Sequence, residues 1–249
     1  MNKVAKLHRM VMPEHICPYG IKSKWLLERQ GFAVDDHHLK TRKDTDAFKN
    51  EHDVATTPQI YIEGVRIGGY DALRVHFGLD KPREARSDTS YRPVLVLFAM
   101  TFLMALGAAF VATEQWFSVR SAEWFVAFSM CGLAYLKLRD VESFSSMFLN
   151  YDMLARRWVP YAYIYPYAEA LAGLLMIAGV AMWLAVPVAL TIGTIGAVSV
   201  FYAVYVQKRD IKCACAGGES NVPLGFVSLT ENLAMIGMGL WMGYKHFIG

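Results

Sequence analysis

The 249-residue sequence predicts two architectures in series: an α/β head of about 80 residues, then an all-α bundle of about five membrane spans. Charge distribution and uncharged runs carry this expectation. Residues 1–92 hold 16 Lys+Arg and 13 Asp+Glu, so most of the 47 charges lie in little more than a third of the chain. The remainder contains uncharged stretches of span length, and 55% of all residues are hydrophobic. This composition excludes disorder, collagen and a disulfide-rich secreted scaffold. A net charge of +3, with acidic residues interspersed among the basic ones, argues against nucleic acid as a partner. Met1 to Met12 carries Lys3, Lys6 and Arg9 without a signal-peptide run, so the head is expected to be kept in the cytosol. The expected organisation is head 1–79, charged connector 80–92 and membrane domain 93–249.

In the head, periodicity places a short strand around Arg9–Met12, then a helix opening at Cys17 and running to Arg29, with Ile21, Trp25 and Leu26 on its apolar face. Gly31 stops that helix. Phe32–Val34 reads as a second strand and Thr41–His52 as a polar helix. Gln59–Ile62 and Val65–Ile67 form a hairpin turning at Glu63-Gly64, and Asp71–Phe77 is a last short helix. The order βαβαββα is of thioredoxin-like type. Cys17, at the first turn of its helix, faces orphan N–H groups and the positive end of the dipole, which favour thiolate. Pro18 suits that turn because its missing N–H has no partner there anyway. The bland alternative is a buried, inert cysteine. His37-His38 reads as a solvated pair rather than a metal site, since adjacent strand residues point to opposite faces.

Three segments in order, Cys17-Pro18-Tyr19-Gly20, Thr56-Thr57-Pro58-Gln59-Ile60-Tyr61-Ile62 and Ile67-Gly68-Gly69-Tyr70-Asp71-Ala72-Leu73, resemble a glutaredoxin over residues 4–79. The resemblance implies a glutathione site: Tyr19 beside the nucleophile, Thr57 pairing by its backbone ahead of a cis Pro58, and Gly69, Tyr70 and Asp71 holding the γ-glutamyl end. The sequence departs from the family pattern in two places. Gly20 stands where many glutaredoxins carry a second cysteine, so Cys17 must work by a monothiol route. Glu14, followed by His15, stands where a lysine is often found.

Beyond the connector, Pro93–Thr113 is uncharged and long enough to cross a bilayer. Trp124–Leu136 reaches span length if Glu123 and Lys137 snorkel to the interfaces. The uncharged run 170–207 is read as two spans, about 162–184 and 187–206, broken at Pro187. A fifth span covers Val227–Tyr244, with Glu231 inside it. Segment 141–157 reads as an amphipathic helix on the membrane surface. Lys and Arg concentrate before the first span, in 137–157 and in 207–220, which places the head and those segments in the cytoplasm and the C-terminus outside the inner membrane. Glu169 and Glu231 are intramembrane carboxylates and hence functional candidates, although near an interface each could reach water. Cys131 reads as a helix-packing residue.

The 207–220 loop holds Cys213-Ala214-Cys215 beside Lys208, Arg209 and Lys212. Two thiols one residue apart can close a strained, easily reduced disulfide, or stay reduced and unreactive. The stretch Ala134–Asp140, then Phe144, Asn150-Tyr151, Pro166, Glu169 and Gly173, followed by Cys213-x-Cys215-x-Gly217, looks like the MauE/DoxX family of redox-associated membrane proteins over about 123–245. That resemblance implies a redox role and makes the 93–113 span an addition to a four-span core. The joint expectation is an enzyme: a membrane-bound, glutathione-linked thiol–disulfide oxidoreductase in which Cys17 exchanges with glutathione and with Cys213/Cys215. Its partners would be glutathione as co-substrate, a protein disulfide and the lipid bilayer, with no resident metal or nucleotide. The alternatives are a thiol-dependent membrane transporter or soft-metal handler using the same cysteines, and a head that merely tethers glutathione chemistry near an unrelated partner.

Overall fold

The computed structural model describes residues 3–12, 16–79, 92–209, 211 and 224–248. The connector 80–91, Glu14, His15, Lys212, Cys213 and Cys215 lie outside the described residues. The chain divides into two compact units, Met1–Arg86 and Ser87–Gly249.

The first unit is a four-stranded mixed sheet in the order β2-β1-β3-β4. Its elements are β1 (Val4–Met10), α1 (Pro18–Arg29), β2 (Ala33–Leu39), α2 (Arg42–Glu51), β3 (Gln59–Ile62), β4 (Val65–Gly68) and α3 (Tyr70–His76). β1 runs parallel to β2 and antiparallel to β3. It begins earlier than periodicity suggested, because Ala5, Leu7 and Arg9 alternate inward from the start of the strand. Leu26, Leu27, Ile60, Ile62 and Leu73 complete the core with Ala5 and Leu7. β2 extends past the expected end at Val34 to Leu39, through four polar residues. Cross-strand partners on β1 account for the extension: Arg9 donates two hydrogen bonds to Asp36, and His8 stacks on His37 at 4.6 Å. α2 opens with a capping box, Thr41 and Asp44 each accepting the other's backbone N–H.

The second unit is helical: α4 (Arg92–Thr113), α5 (Val119–Arg139), α6 (Val141–Phe148), α7 (Met153–Arg157), α8 (Pro160–Ala178), α9 (Met182–Phe201) and α10 (Phe226–Phe247). A π-helical turn, Tyr202–Val206, continues α9. By length and apolarity alone, Val94–Thr113 and Met182–Val206 can cross a membrane. α5, α8 and α10 have span length but carry Glu123, Lys137, Glu169 and Glu231. The expected break at Pro187 is displaced: α8 ends at Gly179, which takes the left-handed conformation that closes a helix, and Pro187 lies inside α9. The expected surface helix 141–157 is two short helices. Phe144 and Phe148 are buried, with their rings stacked on each other and against Tyr165, so this segment packs onto α8.

Small residues set the helix contacts. Leu97 lies against Gly132 and Thr101 bonds Ser129 across α4 and α5. Cys131 meets Gly173 between α5 and α8, the packing role expected of it. Gly193 and Gly196 of α9 accept Asn232 and Ile236 of α10, while Gly239 and Gly243 of α10 accept Leu190 and Val186.

On the α2 face of the head sheet, His8 also stacks on Phe48 and lies near His52. Burial, then the charges of His37, His52 and Lys6, hold its pKa below the ordinary 6.5. The unfolded chain therefore takes up a proton before the folded head does. Stability is complete above pH 6.5 and falls as pH drops through the lower folded value. His8→Phe is expected to flatten this acid loss, measured as the urea midpoint of the head against pH.

Candidate functional site

Cys17 is the N-cap of α1, with Pro18 in the first turn, as the sequence predicted. An antiparallel bridge between Val11 and Ile16 closes the preceding loop, and Cys17 N donates to Met10 O at 3.2 Å. The thiol is held in place but largely covered, at 6% exposure. The helix N-terminus acts in the expected direction, the backbone N–H groups of Tyr19 and Gly20 and the charge of Arg9 favouring thiolate. Burial outweighs them and pushes the thiol above its ordinary value, a correction to the expected net activation.

The residues assigned by resemblance to glutathione gather in two adjoining pieces. The Thr57–Pro58 peptide is cis. A Cβ on Gly69 would stand 3.6 Å from Pro58 O, so the turn before β3 and the N-cap of α3 are in contact. Tyr70, the first residue of α3, is buried and lies 6.3 Å from the ring of the exposed Tyr19. Asp71 follows in the first turn, exposed.

Two cations of the head escaped the sequence reading. Lys22 is fully buried on α1, its ammonium 4.6 Å from the Tyr70 ring centroid, a cation–π contact joining α1 to α3. Arg9 lies beneath the nucleophile helix. A Cβ on Gly20 would fall 2.9 Å from Arg9 Cβ and 3.0 Å from Arg9 Cδ, while the guanidinium is engaged by Asp36. The space a second cysteine side chain would need is thus filled by Arg9. Both positions were legible in retrospect: Arg9 shares the inward face of β1 with Ala5 and Leu7, and Lys22 lies one helical turn before Leu26.

In the helical unit, of the two alternatives for Glu169 and Glu231, the structure does not show each reaching water separately. Glu169 is fully buried, and both carboxylates accept hydrogen bonds from Lys137, Glu169 Oε2 at 2.6 Å. Lys137, read as a snorkelling span end, is itself buried. Glu123, read the same way, is buried at the other end of α5, where its Oε1 accepts from Trp241 Nε1 and Lys245 Nζ, each at 2.8 Å.

Residues 114–245 match the family described as Methylamine utilisation protein MauE. The head matches Glutaredoxin 1 of Rickettsia conorii at 37% identity over 92 residues, covering 35% of this chain and 84% of the relative. The chain belongs to the MauE family and carries a glutaredoxin head. Glutaredoxin 1 of Rickettsia felis matches the head at 36% identity with the same coverage, and that of Rickettsia bellii at 35% over 94 residues, covering 35% of this chain and 90% of the relative. No solved structure matches. The glutaredoxin head and the MauE membrane domain together make this a membrane protein of thiol redox function. The MauE match begins after α4, so α4 is additional to that family's region.

The Arg9–Gly20 contact generates a test. In a helix interior Gly→Ala adds about 1 kcal/mol of stability. Overpacking at Arg9 makes Gly20→Ala destabilising instead, by about 1–3 kcal/mol, read as faster amide exchange in β1 and α1. Arg9→Ala in the same chain should restore the usual stabilising sign.

Proposed function

We propose that the protein is a membrane-bound, glutathione-linked thiol–disulfide oxidoreductase in which Cys17 exchanges with glutathione and with Cys213/Cys215. The observation that carries this reading is Arg9 packed across Gly20: the head holds a single nucleophile and no space beside it for a resolving thiol. The resolving thiol must then come from elsewhere. The Cys213-x-Cys215 pair belongs to the connection joining α9 to α10. Lys137 near the C-terminus of α5 bonds Glu231 near the N-terminus of α10, so this connection leaves the end of the bundle at which α5 finishes. α4 lies antiparallel to α5, as Leu97–Gly132 and Thr101–Ser129 show, and hence begins at that same end. The positive-inside count supports the cytoplasm as the compartment on that side.

The exchange balances as follows. Cys17 thiolate attacks the Cys213–Cys215 disulfide, forming a bond to Cys213 and releasing Cys215 thiolate. A first glutathione thiolate attacks Cys17, frees Cys213 and leaves Cys17 glutathionylated. A second takes the glutathione away as its disulfide and returns Cys17 thiolate. Two glutathiones are oxidised and one protein disulfide is reduced; the reverse sequence oxidises the pair. Thr57, Pro58, Gly69, Tyr70 and Asp71 would hold the tripeptide, with Tyr19 at its edge. Because burial pushes the Cys17 thiol up, exchange should accelerate with rising pH through the neutral range.

Cys215→Ser should trap a Cys17–Cys213 disulfide or a glutathione adduct under oxidising conditions, detected by non-reducing electrophoresis and mass spectrometry. Absence of both, while Cys17 still reacts with an alkylating agent, would refute the relay.

A further inference from the structure

Among the described residues, the charges buried between α5, α8 and α10 do not balance. Lys137 supplies one positive charge and Glu169 and Glu231 two carboxyl groups, with side-chain exposures of 2%, 0% and 6%. The ammonium donates to one oxygen of each carboxyl. The other oxygens, Glu169 Oε1 and Glu231 Oε2, are buried and have no hydrogen-bond partner among the described residues. Among the described residues, the titratable side chains that feel the Glu169 charge are Cys131 of α5 and Tyr165 of α8, with Tyr151 and Tyr161 beyond Tyr165. All of these are neutral when protonated, so none supplies a second cation. α9, packed along α10, contains no charged or titratable residue. The ring of Tyr165, whose centroid is 5.4 Å from the Lys137 ammonium, presents a π face that favours a cation there. Fully ionised, the cluster would carry one uncompensated negative charge inside an apolar bundle, a state that buried groups avoid by taking up a proton.

We propose that Lys137, Glu169 and Glu231 form an intramembrane proton-binding site that holds one exchangeable proton on its carboxyl pair at neutral pH. The bound proton brings the cluster to zero net charge and turns one orphan oxygen into a hydroxyl donor. Uptake converts a carboxylate to a carboxylic acid and release reverses it; no electrons move. Glu231 lies five residues beyond Phe226, the first residue of α10, on the order of 8 Å of helix, so protons exchange toward the end of the bundle from which the 207–224 connection leaves. The site depends on neither Cys17 nor glutathione, and its test is separate from that of the thiol relay.

The full chain in lipid nanodiscs is examined by infrared difference spectroscopy between neutral and alkaline pH. The wild type should show one carboxylic-acid carbonyl band that is lost on alkalisation. Glu169→Gln and Glu231→Gln should each abolish it, because the remaining carboxylate and Lys137 then form a neutral pair. Lys137→Met should give a band about twice as strong, since both carboxyls must then be protonated. Unfolding cannot mimic that gain, because solvated carboxyls are ionised at neutral pH. The proposal is overturned by absence of the band from the wild type, by its survival in both Gln variants, or by no increase in Lys137→Met. A sodium-dependent shift of ionised carboxylates, with no acid band, would equally overturn it in favour of a cation site.

Discussion

The helical domain depends on a single ammonium group. Lys137 reaches across from α5 to Glu169 on α8 and Glu231 on α10, and no other polar contact ties three of the long helices at one point among the described residues. An apolar bundle in lipid gains little from hydrophobic contact between helices, so close packing and internal hydrogen bonds decide register. Gly132, Gly173, Gly193, Gly196, Gly239 and Gly243 allow the backbones to approach; the ion cluster selects one alignment among the many those glycines would permit. Glu123, with Trp241 and Lys245, fixes the opposite ends of α5 and α10. Two polar clasps at the ends of an antiparallel pair leave no freedom to slide.

The head follows a comparable logic on its four-stranded sheet. Arg9 is drawn toward the sheet interior by its place in the inward alternation of β1 and is made tolerable there by Asp36. Its aliphatic stem then occupies the ground beneath Gly20. The monothiol character of the motif is therefore built into the core packing rather than confined to one surface position. The same neighbour contributes positive charge that favours thiolate at Cys17, although burial outweighs it.

Much of this was legible in the sequence where local chemistry and periodicity agreed. The α1 start at Cys17-Pro18, the Glu63-Gly64 hairpin and the first span needed only turn residues and hydropathy. The second strand reads short because Asp35, Asp36, His37 and His38 carry no apolar alternation, and the partners that hold them, Arg9 and His8, lie on another strand. Pro187 was taken for a break because proline interrupts helices in water, yet the chain turns at Gly179, where a positive φ is required. The amphipathic reading of segment 141–157 places Phe144 and Phe148 on the buried side, but Met153 is exposed and Asp152, read on the polar side, is buried; the recipient is the Tyr161–Tyr165 stripe of α8. Lys137, Glu169 and Glu231 were each visible as charges near span ends. Their meeting is a tertiary event over sequence separations of 32 and 94 residues, which periodicity cannot report.

Helix α4 settles a question of parity. The MauE-matched region holds three long helices besides α5, and a chain entering α5 directly would arrive at the Glu123 end of the bundle. One additional antiparallel crossing inverts that arrangement, so the polypeptide begins α4 at the Lys137 end. An even number of added helices, or none, would start the polypeptide of the membrane domain at the Glu123 end instead. Fusing a glutaredoxin domain to a membrane module is thus a problem of odd and even as much as of linker length, and a lone extra helix with few polar groups of its own is the smallest insertion that solves it.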